Sequence, residues 1–183
     1  VGVGLMSRHA RNLQELYKRV QNGELGEILL MRGYRMHGPA GYFENEDDTL
    51  AYRKSWRYGY VGKTPLVLRP ANTAEVAEIV KICAAEHIPI VPQGGNSGMS
   101  GGATPFDSGH ELIISLRRMN HIIDVDSAAR TATCEAGVIL QVLHEAAEAQ
   151  DLRFPLTLGG KGSATIGGLI STNAGGTQVL RHG

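Results

Sequence analysis

The chain has 183 residues and carries 18 Lys and Arg against 18 Asp and Glu, so it has no net charge. That balance excludes a nucleic-acid or membrane-surface protein driven by bulk electrostatics, and no apolar run approaches the roughly 18 residues that span a bilayer. The length suits one domain of ordinary size, or one domain with an added piece.

Residues 8–22, "RHARNLQELYKRVQN", place Leu13, Leu16, Tyr17 and Val20 at helical spacing, with Gly23 as the stop. "EILLMRGYRM" then reads as a strand. The polar stretch 37–50, with Gly, Pro and the acidic run "ENEDD", reads as a linker. Trp56, with Tyr52, Tyr58 and Tyr60 around it, reads as packing that clamps this N-terminal arm to the rest of the chain.

"TPLVLRP" (64–70) is a short strand closed by Pro70. In the next segment, a helix, Asn72 and Glu75 have capping-box spacing, and Val76, Ile79, Val80 and Cys83 form an apolar stripe. "IPIVP" (88–92) is the next strand, so a βαβ unit with a parallel, right-handed crossover is expected. "ELIISL" (111–116), "HIIDVD" (121–126) and "RTATCEAG" (130–137) read as three more strands. Alternation in the last of them predicts one half-buried face. Residues 138–150 form a helix with Leu140, Leu143 and Ala147 on one face.

Glycine carries the main signal, since 15 of the 24 glycines come after residue 90. They concentrate in "QGGNSGMSGGATP" (93–105), which leaves the carboxyl end of a strand, and in "LGGKGSATIGGLISTNAGG" (158–176). Ligands bind at the carboxyl ends of strands in open α/β sheets. Glycine turns also let backbone amides converge on a phosphate without Cβ atoms in the way. The first loop lacks the Lys of a P-loop and the spacing of a dinucleotide fingerprint. "GVGLMS" at 2–7 approaches that fingerprint, but ends on Ser7 and has no supporting βαβ unit. The alternatives to a phosphate cradle are a flexible surface turn for the first segment and a closely packed, Thr/Ser-capped helix for the second. Two such segments in one chain point to a dinucleotide with a pyrophosphate.

The stretches "PLVLRPANTAEVAEIVKICAAEHIPIVPQGGNSGMSGGA" and "FPLTLGGKGSATIGGLISTNAGG" resemble the FAD-binding, PCMH-type domain of the vanillyl-alcohol oxidase flavoproteins. Within that family they are most similar to the FAD-linked D-2-hydroxyacid dehydrogenases: the FAD-linked component of glycolate oxidase and the D-lactate and D-2-hydroxyglutarate enzymes. The likeness covers roughly residues 47–183. It implies an α+β fold, a βαβ unit plus a mixed sheet with flanking helices, incomplete at its C-terminal end.

It also implies a phosphate shell of Pro92, Gln93, Gly94, Gly95, Asn96, Ser97, Gly98 and Ser100. Contacts along the flavin side are implied for Pro155, Leu158, Gly159, Gly162, Ser163, Thr165, Ile166, Gly168, Thr172, Asn173 and Gly175. Some members bind flavin covalently through a His in the first loop. Asn96–Ser97 stands at that place here, so FAD is expected to be non-covalent. The implied chemistry is hydride transfer from a small 2-hydroxyacid to flavin N5, with no electron acceptor assigned. In the family the base, the substrate-holding cations and any metal ligands come from a C-terminal half. No catalytic or metal-binding residue is therefore assigned, and this chain alone is expected to be inactive.

His110, His121 and His144 read as surface or satisfied core residues, His182 as a residue that could approach the cofactor, and Lys161 as a loop charge or a phosphate partner. Cys83 and Cys134 read as reduced thiols, hence a cytoplasmic protein.

"GLMSRHARNLQELYKRVQNGELGEILLMRGYRMHGP" resembles instead a segment of the Gfo/Idh/MocA sugar oxidoreductases, without their nicotinamide domain. The organisation expected is therefore 1–42 as a helix–strand segment, 43–60 as linker and arm, and 61–183 as the FAD-binding domain. Two other readings stand beside the flavin oxidoreductase. One is a truncated flavin-binding module without catalysis, and the other is a fragment of an NAD(P)-dependent sugar dehydrogenase.

Overall fold

A computed structural model describes residues 46–182. The helix and strand expected in residues 1–42, and with them the likeness to sugar oxidoreductases, lie outside the described residues. The described chain divides into two compact units. One holds residues 46–93 with Gly101–Ser115, and the other holds Gly94–Ser100 with residues 116–182.

The first unit opens with helix α1 (Glu46–Arg53). Its first five residues belong to the stretch whose polarity predicts a linker. Tertiary bonding overrides that composition. Buried Arg53 donates from Nε to the Thr49 hydroxyl one turn back (2.8 Å) and from Nη1 to the Gly62 carbonyl (3.0 Å). A buried guanidinium needs such partners, and they fix the helix end against the adjoining loop.

Strand β1 (Val67–Leu68), helix α2 (Thr73–Ala85), strand β2 (Ile90–Gln93) and strand β3 (Leu112–Ser115) complete this unit. The sheet is parallel throughout, with the order β1-β3-β2. The expected helical crossover is present, but β3 inserts between the two strands it joins. Register sets Val67, Ile113 and Val91 side by side, and these three form a core cluster with Tyr52 packed against it. All four residues of β3 are buried, as befits the central strand of a parallel sheet.

Helix α2 starts as its capping box predicts. The Asn72 side chain accepts from the Glu75 amide (2.9 Å), while the Glu75 carboxylate reaches back to the Ala71 amide (2.7 Å). Its buried stripe is Ile79, Ile82 and Cys83; Val80 is exposed, so the inward face is rotated from the one expected. The helix stops where Ile88 donates to Cys83 and His87 to Ala84, with His87 left-handed at φ 52.

The arm that Trp56, Tyr58 and Tyr60 are expected to clamp lies outside the described residues. The three aromatic residues are 58%, 67% and 42% exposed on a short hairpin bridged at Lys54 and Val61, and Arg57 lies over the Tyr58 ring. Tyr52 alone packs inward.

In the second unit, β4 (Ile122–Asp126) and β5 (Thr131–Cys134) pair antiparallel. The Asp126 carboxylate closes the turn by accepting from the Ala128 and Ala129 amides. Thr131, Ala132 and Thr133 are all exposed, so alternation did not produce the half-buried face expected. The mixed sheet is thus divided into one parallel and one antiparallel sheet. Helix α3 (Leu140–Glu148) buries Leu140, Leu143 and Ala147, as its spacing predicts. Helix α4 (Ile166–Ser171), a 3-10 turn (Gly176–Gln178) and helix α5 (Val179–His182) come next. Leu140, Ala164 and Leu169 form this unit's core, with Leu156, Leu158, Ile166 and Ala174 against it. Cys83 and Cys134 are free thiols.

Candidate functional site

The first glycine loop, Gly94–Ser100, falls in the same compact unit as the second glycine segment. The two touch through absent side chains. A Cβ on Gly95 would overlap the Ser163 carbonyl, and one on Gly94 would overlap the Thr165 hydroxyl. Both glycines are therefore required by the protein's own close packing. They do not by themselves report a ligand.

Other glycines in the same unit have no such reason. A side chain on Gly98, Gly159 or Gly162 would meet nothing within 4 Å, and none of the three has a left-handed backbone. A small residue with neither a steric nor a conformational need is explained when something outside the chain lies against it.

Backbone geometry in the first loop suits an anion. Asn96 is left-handed, at φ 53. A left-handed residue is one half of the pair in which successive amides turn to one side as a concave nest. Among the described residues, the amides of Gly95 and Ser97 donate to no other group. Arg117 sits behind the loop, in the 3-10 turn Leu116–Arg118. Its Nε donates to the Gly94 carbonyl (3.1 Å) and its Nη2 to the Gly95 carbonyl (3.0 Å). Neither glycine segment carries an Asp or Glu, and residues 152–183 contain none at all. Lys161 adds an exposed cation within the second segment. The two segments thus offer amide donors and no acidic side chains of their own, which suits a phosphate.

The second segment is anchored against residues 136–141. Gly167 donates to the Ala136 carbonyl, Ile166 to Val138, Leu140 to Ala164 and Gln141 to Lys161. Helix α4 ends in a Schellman turn, with Ala174 donating to Leu169, Asn173 to Ile170, and Asn173 left-handed at φ 49. Asn173 thereby stops the helix, a role its expected place beside a flavin does not require. The Thr172 hydroxyl bonds back to the Gly168 carbonyl (2.9 Å). Beyond the turn, Pro155, Asn173 and Gly175 line a small recess of about 180 Å³ together with Phe154, Leu156, Ala174, Gln178 and His182.

The expected contact residues therefore separate by role. Asn96, Ser97, Gly98, Ser100, Gly159, Gly162 and Ser163 are at least partly accessible on this unit. Leu158 and Ile166 pack on the core, and Gly175 leaves room for Val179. Thr165 is buried, and its Oγ1 has no hydrogen-bond partner. Pro92 and Gln93 close β2 of the other unit, and the Gln93 side chain turns into it, donating to the Tyr52 and Ala103 carbonyls (2.8 and 2.7 Å). Arg117 escapes sequence reasoning, because a single Arg after a strand has no spacing signature.

The histidines are occupied or solvated. His144 contacts the Leu156 carbonyl through Nε2 (2.9 Å) and lies beside the Phe154 ring. His121 pairs through Nδ1 with Glu135 (2.7 Å), and its amide bonds the same carboxylate oxygen. Those two bonds, the amide first, hold the Glu135 carboxyl below its ordinary range. His110 is exposed. Burial pushes both thiols up. No group of three or more His, Cys, Asp or Glu among the described residues could hold a metal.

Comparison with known proteins agrees with this geometry. Residues 64–183 match the model of a family described as an FAD-binding domain. A mitochondrial D-2-hydroxyglutarate dehydrogenase of Arabidopsis thaliana is 39% identical over 147 residues, covering 80% of this chain and 26% of the relative. A D-2-hydroxyglutarate–pyruvate transhydrogenase of Saccharomyces cerevisiae is 37% identical over 138 residues, covering 75% and 27%. Among solved structures, an alkyldihydroxyacetonephosphate synthase superposes with a TM-score of 0.59 at 25% identity, over 64% of this chain and 22% of the synthase. The chain thus spans about a quarter of the length of the curated relatives it matches.

Proposed function

Since the chain belongs to the family of FAD-binding domains, we propose that it is the cofactor-holding part of an oxidoreductase acting on a small 2-hydroxyacid, with FAD bound non-covalently. The observation that carries this reading is the meeting of the two glycine segments. Gly94 and Gly95 pack on Thr165 and Ser163, while Gly98, Gly159 and Gly162 leave open space where a Cβ would stand.

The residues fit an FAD pyrophosphate. The nest around Asn96, the amides of Gly95 and Ser97 and the Ser97 hydroxyl would hold its oxygens, and bare Gly98 lets them approach. The second segment would carry the remainder of the dinucleotide along Gly159, Gly162 and Ser163. When bound, the flavin supplies a two-electron acceptor for the hydride leaving the substrate's Cα. The chain's own part is to bind, orient and shield. Neither Asn96 nor Ser97 offers a nucleophile suited to a stable flavin bond, which supports the non-covalent reading.

The 2-hydroxyacid assignment rests on the activities for which the Arabidopsis and yeast relatives are named. No base is assigned among the described residues, and the chain by itself is expected to hold flavin without turnover. To test both parts, the purified chain is loaded with FAD and denatured in acid. The yellow colour is expected in the supernatant, and colour retained by the precipitate refutes non-covalent binding. Bleaching of the bound flavin by D-2-hydroxyglutarate would refute the absence of turnover.

A further inference from the structure

We propose that Arg117 is a positioning residue for the anion-binding loop, acting on the loop's backbone and not on the ligand. This deepens the reading above and rests on it. The observation is the fork of two bonds from one guanidinium to consecutive carbonyls, Nε to Gly94 (3.1 Å) and Nη2 to Gly95 (3.0 Å).

A peptide unit is planar and trans, so its carbonyl and its amide point in opposite directions. The Gly94 carbonyl shares a peptide with the Gly95 amide, and the Gly95 carbonyl shares one with the Asn96 amide. Fixing both carbonyls on the guanidinium aims those two amides away from Arg117. The Gly95 amide is one of the two donors assigned to the phosphate above, and it leads into the left-handed turn at Asn96. A second restraint acts on the same residue. The missing Cβ of Gly95 lets the Ser163 carbonyl press against it, so the loop is held from two sides.

Arginine does this where lysine cannot. Its planar fork meets two acceptors at fixed spacing, whereas a lysine ammonium is a single mobile point. Arg117 is exposed and belongs to neither core cluster, so the fold does not depend on burying it. Pre-orienting donors before the ligand arrives lowers the ordering cost of binding.

The full chain, stripped of flavin and titrated with FAD by fluorescence quenching, tests this in four forms: wild type, Arg117→Ala, Arg117→Lys and Gly98→Val. Arg117→Ala is expected to weaken FAD about tenfold, equal to about 1.4 kcal/mol. Arg117→Lys should recover only part of the loss. The unliganded melting temperature should not change. The slope of log Kd against log salt should also stay at the wild-type value, because no phosphate contact is removed. Wild-type affinity in Arg117→Ala, with binding lost in Gly98→Val, overturns the role of Arg117 and leaves the loop assignment standing. Unchanged affinity in Gly98→Val overturns the loop assignment itself. Full rescue by lysine, a shallower salt slope in Arg117→Ala or a matching fall in melting temperature each overturns positioning through the carbonyls. The first two make Arg117 a plain charge, and the third makes it a support of the fold.

Discussion

Two neighbouring glycines should fail in opposite ways when each gains one methyl group. In Gly95→Ala the new Cβ would overlap the Ser163 carbonyl, a backbone atom fixed by the bonds that lay residues 160–167 along residues 136–141. No flexible side chain can yield there, so the strain belongs to the overpacking class, about 1–3 kcal/mol. In Gly98→Ala the Cβ meets nothing within 4 Å on an ordinary backbone. The unliganded chain should then be unchanged, or gain roughly 0.4–1 kcal/mol from a less flexible unfolded state. For FAD binding, Gly98 is the sensitive position. Gly98→Ala puts a methyl group where the pyrophosphate would lie and should weaken FAD at least tenfold, about 1.4 kcal/mol. Urea unfolding gives the stabilities, and FAD titration of the folded chains gives the affinities. If Gly95→Ala is as stable as wild type, the close packing of the two segments is wrong. If Gly98→Ala binds FAD as wild type does, its bareness has nothing to do with the cofactor.

Two further outcomes are expected. Ile113 is fully buried between Val67 and Val91, so Ile113→Ala should lower the urea unfolding free energy by about 2–5 kcal/mol, and a loss well under 1 kcal/mol would contradict its central place. Glu135 is held below its ordinary value of 4.5 by the His121 amide and ring. A carboxyl depressed in the folded state stabilises above its unfolded value and loses that contribution as pH falls through the folded one. The melting temperature of wild type should therefore exceed that of Glu135→Gln by a constant amount from pH 5 to 6, and converge on it as pH drops below about 4.5. A difference that persists unchanged to pH 2.5 contradicts the bond as described.

The features legible in the sequence are local ones. Asn72 and Glu75 are three residues apart, a distance at which a helix start decides itself, and the capping box formed. Leu140, Leu143 and Ala147 share one helical face, and all three are buried. Non-local facts were hidden. Periodicity does not say that β3 enters between β1 and β2, because strand order is set by which faces the connections must cover. It put Val80 on the inward face of α2 where Ile82 lies, since a sheet accepts either edge of an apolar stripe. The acidic run before α1 looked like a linker because the bonds of Arg53 to Thr49 and Gly62 come from groups brought together only by folding.

For the site, composition revealed two glycine segments but not why each glycine is there. Gly94 and Gly95 answer to Thr165 and Ser163, whereas a Cβ on Gly98, Gly159 or Gly162 would meet no atom within 4 Å. That separation depends on which residues the fold brings together. So does Arg117, whose partners are backbone carbonyls that leave no mark in the sequence.

Whether the two glycine segments together hold a flavin is decided by the visible absorption spectrum of the purified chain after incubation with FAD and gel filtration. A yellow protein peak is expected, with flavin absorption near one equivalent per chain and free FAD once the protein is denatured. A folded, colourless chain that takes up no FAD would contradict the flavin site.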